Sequence, residues 1–344
     1  MRLKKYIALA MVLLTFGLLL AGCGKSQTES TGSTGGGKAS NTPIKIGLSP
    51  WAGYYPWYLA EEKGFFKKYG VNVELVWFPV YSDALQAFVT EKLDADSVVL
   101  SDILAPASKG IPVKVVLVID NSAGAEGIVV KPQYNSIADL KGKKVGTEFG
   151  TVDHFMLVKE LDKVGLKESD VQLTNMSIND AGTAFIAGNL DAASIWEPFL
   201  SKAVKEGKGK VIMSSADSPG LIADLLVFND KTIKERPDDV KKILMAWFDA
   251  LEWWKQNPDE AFGILAKKAN TSVEDYKTLN KGVKIFSLDD NLKAFTKADN
   301  MQYIGYTGTE IAKFLKSKGM LESIPDVEKS LDGSFVEAIA KEKK

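Results

Sequence analysis

From Ile44 to about Lys231 the chain alternates short apolar runs with longer segments of helical spacing, and this alternation restricts the fold more than any other feature. The runs IKIGLS, VNVELVWF, DSVVLS, VKVVLVID, GIVVKP, KKVGTEF, VQLTNMS, AASIWEP, KVIMSS and LLVFND read as strands. Between most of them lie amphipathic stretches such as YLAEEKGFFKKYG and VDHFMLVKELDKVGL. Alternating strands and helices predict an α/β fold with parallel-rich sheets. Roughly 300 residues follow the first predicted strand, more than one core comfortably serves, so two lobes are expected. The similar runs Gly127–Lys131 and Leu225–Asn229 are read as a two-strand hinge, giving lobe 1 as residues 44–127 plus 226–344 and lobe 2 as residues 128–225. Beyond Pro237 the pattern is helical. DDVKKILMAWFDALEWWKQ is its clearest segment, with Trp247, Trp253 and Trp254 read as packing residues, and these helices are expected to complete lobe 1.

The N-terminus carries an export pattern. Arg2, Lys4 and Lys5 precede an apolar run from Ile7 to Leu20 and the small pair Ala21-Gly22. The run is shorter than the roughly 20 residues that cross a bilayer, so residues 1–22 are predicted to be a signal peptide. The tetrad Leu20-Ala21-Gly22-Cys23 resembles the lipobox of bacterial lipoproteins. That resemblance implies a diacylated Cys23 as the mature N-terminus, holding the protein on the extracytoplasmic side of the cell membrane. Residues 23–43 are rich in Gly, Ser and Thr and read as a flexible tether. Because Cys23 is the only cysteine, the exported domain is expected to form no internal disulfide.

Three motifs then appear in order: Ala60-x-x-x-Gly64-x-Phe66 continuing to Gly70-Val71-x-Val73; Asp139-Leu140-x-Gly142-Lys143-Lys144-Val145 followed by Gly150-Thr151-x-x-His154; and Gly188-x-Leu190-Asp191-Ala192 ending in Trp196-Glu197-Pro198. Together they resemble the nitrate/sulfonate/taurine family of ABC-transporter substrate-binding proteins, over roughly Ile44 to Lys231. The resemblance implies a two-lobed periplasmic-binding-protein fold of type II, its two sheets flanked by helices. It also implies a cleft that closes on a small molecule, and permease and ATPase subunits as partners of a monomeric binder.

In open α/β sheets ligands gather at the carboxyl ends of strands. The candidate ligand residues there are Trp51, Tyr54, Asp83, Ser101, Asp102, Asp120, Ser122, Thr151, Asp153, His154, Asp180, Trp196 and Glu197. Capping of their own helices competes as a role for Ser82, Asp83 and Asp180. For Trp51, Tyr54 and Trp196 the competing role is packing, and for His154 it is bonding to its neighbours. Arginine is the natural clamp for an oxyanion, yet the chain has only Arg2, in the leader, and Arg236 in KERPDD. The ionisable residues near the expected cleft are acidic, with Glu126 and Asp224 joining the aspartates and Glu197. Carboxylates beside aromatic rings suit an amine, a zwitterion such as taurine, or a pyrimidine-like heterocycle.

A net charge of −1 without a basic patch argues against nucleic acid. With one histidine, one cysteine, no G-x-S-x-G and no P-loop, the chain offers no catalytic constellation, no metal site of His and Cys ligands and no cofactor motif. A thiamine-pyrimidine synthase-like enzyme of similar fold would carry a cysteine-rich motif that is missing here. A sensor or surface-interaction lipoprotein is the remaining alternative.

Overall fold

A computed structural model describes residues 42–343; the leader, Cys23 and most of the tether lie outside the described residues. Every predicted strand forms: β1 (Ile44–Leu48), β2 (Val73–Trp77), β3 (Ala95–Val99), β4 (Val113–Ser122), β5 (Glu126–Val130), β6 (Lys144–Thr147), β7 (Gln172–Asn175), β8 (Ala192–Trp196), β9 (Lys210–Ser214) and β10 (Ala223–Asn229). A further short strand, β11 (Val283–Ile285), went unread because three residues are too few to show a period of two.

The strands divide into two sheets. Lobe 1 holds the order β11-β4-β10-β3-β1-β2 and lobe 2 the order β7-β6-β8-β5-β9. The sheets are mixed rather than uniformly parallel. β1 runs parallel to β2 and β3, whereas β10 is antiparallel to both β3 and β4; β6 runs parallel to β7 and β8, whereas β5 is antiparallel to β8 and β9. β5 and β10 are each the first strand after a crossing between lobes, while β11 is a further antiparallel strand at the edge beside β4. A chain entering a sheet from the other lobe starts at the edge facing that lobe, which is where the parallel strands end.

The crossings themselves differ from the expected hinge. The runs Gly127–Lys131 and Leu225–Asn229 lie inside sheets, as most of β5 and β10, and the chain passes between lobes just before each, at 123–125 and 215–222. By sheet membership, Glu126 and Gly127 pair within the sheet of β5, and Ala223 to Leu225 within the sheet of β10. The two passages are tied side by side. Ser122 Oγ and Ser215 Oγ lie 2.7 Å apart, Gly124 N donates to Ser215 Oγ at 2.7 Å, and Ser122 N donates to the Ile222 carbonyl at 3.0 Å. Gly124 holds φ at +121°, a backbone that side chains disfavour.

Helices cover both sheets. The longest, Pro237–Gln256, starts with proline in its first turn and acidic Asp238 and Asp239 at its positive end. It buries Val240, Ile243, Leu244 and Trp247, and the Trp247 ring sits 4.4 Å from that of Trp57. As expected, Trp247 is a packing residue, and Trp253 and Trp254 pack partly buried against the same core. The C-terminal helices also reach lobe 2, where Phe314 meets Phe155 edge-on at 5.6 Å and Lys318 pairs with Asp162.

An acidic and aromatic site between the lobes

The strand ends of lobe 1 carry the first half of the site. Register decides its geometry: Asp120 on β4 stands directly opposite Asp224 on β10, so both side chains leave the same face of the sheet. Like charges in that relation are destabilising, and the surrounding aromatic residues offset the cost. Trp51 Nε1 donates to both oxygens of Asp120, at 3.2 and 3.1 Å, and the Tyr54 hydroxyl donates to Asp224 Oδ1 at 2.5 Å. The loop that carries them needs glycine at Gly53, where a Cβ would lie 1.8 Å from Asp120 Oδ2. Beyond β3, the Tyr81 hydroxyl accepts from Val99 N at 3.0 Å and donates to Asp102 Oδ2 at 2.8 Å, while Ser101 Oγ donates to Asp102 Oδ1 at 2.5 Å.

Lobe 2 supplies the second half. Glu126 on β5 stands opposite Trp196 on β8, again on one face. Asp153 lies in the first turn of helix Val152–Lys163, and the Ser194 hydroxyl is 2.9 Å from its carbonyl and 3.4 Å from Oδ1. The halves meet directly. The rings of Tyr81 and Trp196 touch edge-on at 5.5 Å, Ser82 N donates to Glu148 Oε1 at 3.2 Å, and Val152 N donates to Asp102.

Five carboxyl groups therefore share one dry region. Asp102, Asp120, Glu126, Asp153 and Asp224 are 0–4% exposed, and among the described residues no lysine or arginine pairs with any of them. A buried carboxylate without a cation costs several kcal/mol, so such groups take up protons instead. Burial raises Asp102 and Asp224 to about 7. Asp120 is pushed well up by burial and then by the charge of Asp224; Glu126 by burial and then by Asp153 and Asp224; Asp153 mainly by burial.

The structure brings Trp51, Tyr54, Ser101, Asp102, Asp120, Asp153 and Trp196 of the candidate set to this region, with Ser122 donating to Glu126 at its margin. The others are engaged elsewhere. Asp83 is an exposed first-turn residue, and Asp180 is exposed beside the Ser177 that caps its helix. Glu197 accepts from Ser201 N at 3.0 Å and Ser201 Oγ at 2.5 Å. Thr151 Oγ1 donates to the Glu148 carbonyl at 2.8 Å. His154 accepts from Gly150 N at Nδ1, so its proton sits on Nε2, 2.7 Å from Glu168 Oε1, and its ring stacks on Phe149. Its partners are all in lobe 2. Tyr81, Glu126, Asp224 and Gly53 complete the site without having been singled out as ligand residues. Glu126 and Asp224 were visible as acids, but only antiparallel register shows that each opposes another site residue.

A family model described as NMT1/THI5 like matches residues 51–261. The chain belongs to that family. Among relatives of this NMT1/THI5-like chain is the Bacillus subtilis "Putative aliphatic sulfonates-binding protein", 29% identical over 307 residues, covering 85% of this chain and 89% of that protein. The taurine-binding periplasmic protein of Escherichia coli is 23% identical, covering 76% of this chain and 82% of its own length. Among solved structures, the alkanesulfonate-binding protein of Xanthomonas axonopodis pv. citri bound to MOPS superposes with a TM-score of 0.71 at 18% identity, covering 86% of this chain and 99% of that one. The periplasmic-binding-protein fold implied by the motifs is thereby established.

Proposed function

We propose that this NMT1/THI5-like protein is the substrate-binding lipoprotein of an ABC importer and that its ligand is a small nitrogen-bearing organic molecule, taken between the lobes. The importer role follows from its relatives among binding proteins. The ligand class rests on one observation: five buried carboxyl groups share the cleft and none has a cationic side chain beside it. An oxyanion there would find no lysine or arginine among the described residues to hold it. The only described arginine, Arg236, is held by Asp239 at 2.8 Å. An amine or protonated heterocycle would supply the missing charge, and the rings of Tyr54, Tyr81 and Trp196 would face it.

Taurine fits only in part. Its ammonium suits the acids, but the start of helix Val152–Lys163, the natural seat for a sulfonate, already gives Thr151 Oγ1 to Glu148 and Val152 N to Asp102. Thermal melts against panels of amines, zwitterions, heterocycles and alkanesulfonates test the class. A ligand at 100 times its dissociation constant adds about 2.7 kcal/mol to stability, and tight binding of nitrate or a simple alkanesulfonate with no response to nitrogen compounds would sink the reading.

Attachment through a diacylated Cys23 puts this monomeric binder on the extracytoplasmic face of the membrane, where permease and ATPase subunits receive its cargo. Among the described residues no helix is long and apolar enough to cross a membrane. Replacing Cys23→Ala should move the protein from the membrane fraction to the surrounding medium or periplasm. Retention in the membrane fraction would refute the anchor.

A further inference from the structure

The polar atoms of the site differ in how far the protein itself satisfies them. Trp51 occupies both oxygens of Asp120, and Ser101, Tyr81 and Val152 N serve Asp102. By contrast Glu126 Oε2 and Asp153 Oδ2 have no hydrogen-bond partner, and Asp224 Oδ2 has no donor other than the Asp120 carboxyl it opposes. Trp196 Nε1, on a residue 6% exposed, is likewise without an acceptor. Trp196 shares a face with Glu126 by register, and its ring touches Tyr81 of lobe 1. Buried polar groups are rarely left unpaired, and each one in a native fold calls for a partner. Here the unused atoms belong to both lobes.

We propose that the ligand is recognised through N–H groups presented to both lobes at once, Asp224 accepting on one side and Glu126 and Asp153 on the other, with one ligand acceptor atom meeting Trp196 Nε1. The ligand class is a primary or secondary amine, amidine or guanidine cation that also carries a lone-pair atom. Quaternary ammonium compounds are excluded. They supply charge, and the rings would accept it, but they bring no N–H to the unpartnered oxygens of Glu126 and Asp153 or to Asp224. This deepens the nitrogen-ligand reading and rests on it.

The test uses matched pairs differing only in N-methylation, each carrying an oxygen acceptor: ethanolamine and choline, glycine and glycine betaine. Calorimetry on the mature protein is expected to show the N–H member of at least one pair binding about 10-fold to 100-fold tighter than its methylated partner, the scale of one hydrogen bond to a charged group. Glu126→Gln and Asp224→Asn should each weaken the N–H probe by a similar factor while leaving circular dichroism and cooperative melting intact. A quaternary compound that binds as tightly as its N–H partner overturns this inference but leaves the nitrogen-ligand reading standing. If no N–H cation binds at millimolar concentration, the inference also fails. If, in addition, nitrate or a simple alkanesulfonate binds tightly in a parallel titration, the reading beneath it fails as well.

Discussion

Lobe 1 and lobe 2 each bring acids to the same cleft, but lobe 1 has furnished most of its own and lobe 2 has not. Asp120, Asp224 and Asp102 receive hydrogen bonds from Trp51, Tyr54 and Tyr81, all rigid aromatic side chains. Glu126 and Asp153 depend on serines: Ser215 donates to Ser122, leaving the Ser122 hydroxyl for Glu126, and Ser194 leans chiefly on the Asp153 carbonyl. Aromatic donors lose little rotamer freedom on binding, so lobe 1 presents a shaped surface before any ligand arrives. Lobe 2 keeps unmet acceptors that a ligand held by lobe 1 would fill. A ligand that contacted both lobes would favour the state in which they meet, to the extent of its differential affinity for that state.

The strongest way to break the comparison is to disorder the lobe 1 surface. Gly53→Ala forces a methyl onto Asp120 Oδ2, and overpacking of this kind costs about 1–3 kcal/mol. Ligand affinity should fall roughly 100-fold, read by calorimetry, and an unchanged affinity would show that the Trp51–Asp120 pair does not shape the site. Tyr54→Phe is next. It strips the donor from Asp224 Oδ1 and should cost about 1–3 kcal/mol of stability in the unliganded protein, measured by denaturant titration.

The acids also make the site respond to pH. Their folded values lie above the ordinary carboxylate range, so the folded state binds more protons than the unfolded one. Stability of the empty protein should therefore fall as pH rises from about 4 towards 7, the interval between the unfolded value and the value of about 7 for Asp102 and Asp224. Affinity for a cation should move the other way, rising up to about tenfold per pH unit for each proton expelled as pH passes through 7. Titrations in buffers of different ionisation heat would show the released protons, and a pH-independent affinity would mean the carboxyl groups stay protonated around the ligand.

Smaller effects sharpen the contrast. Ser215→Ala unties the two passages at Ser122 and Gly124 and should cost about 1 kcal/mol, with ligand on-rates changing more than the final affinity. His154→Gln removes an interaction internal to lobe 2. It should shift the melting temperature slightly and leave affinity within about threefold, since no His154 contact reaches the acids.

Much of this was legible before the structure. Each predicted strand formed because apolar runs bounded by Gly, Asp or Ser have few alternatives, and Trp51, Tyr54, Asp102 and Asp120 could be placed in the cleft because residues at the carboxyl ends of strands converge. The misplaced hinge had a specific cause. Gly127–Lys131 and Leu225–Asn229 looked alike because both are central strands buried on two faces, whereas the true passages at 123–125 and 215–222 are short polar or small segments that carry no periodic signal. Asp83 and Asp180, for which capping competed as a role, sit in first helical turns just as Asp102 and Asp153 do. Which first turn faces the other lobe depends on how the sheets meet.

The sequence by itself determined that the described chain is an α/β protein with strands in known places, and that its cleft would be acidic, aromatic and without arginine. Those properties follow from composition and local periodicity, which act over a few residues. Only the tertiary structure decided that β10 and β5 insert antiparallel, setting Asp224 against Asp120 and Glu126 against Trp196. Register between strands some 70 to 100 residues apart in sequence is a property of the assembled sheet. It is that register, together with the helix starts that carry Asp102 and Asp153, that brings the five carboxyl groups into one region.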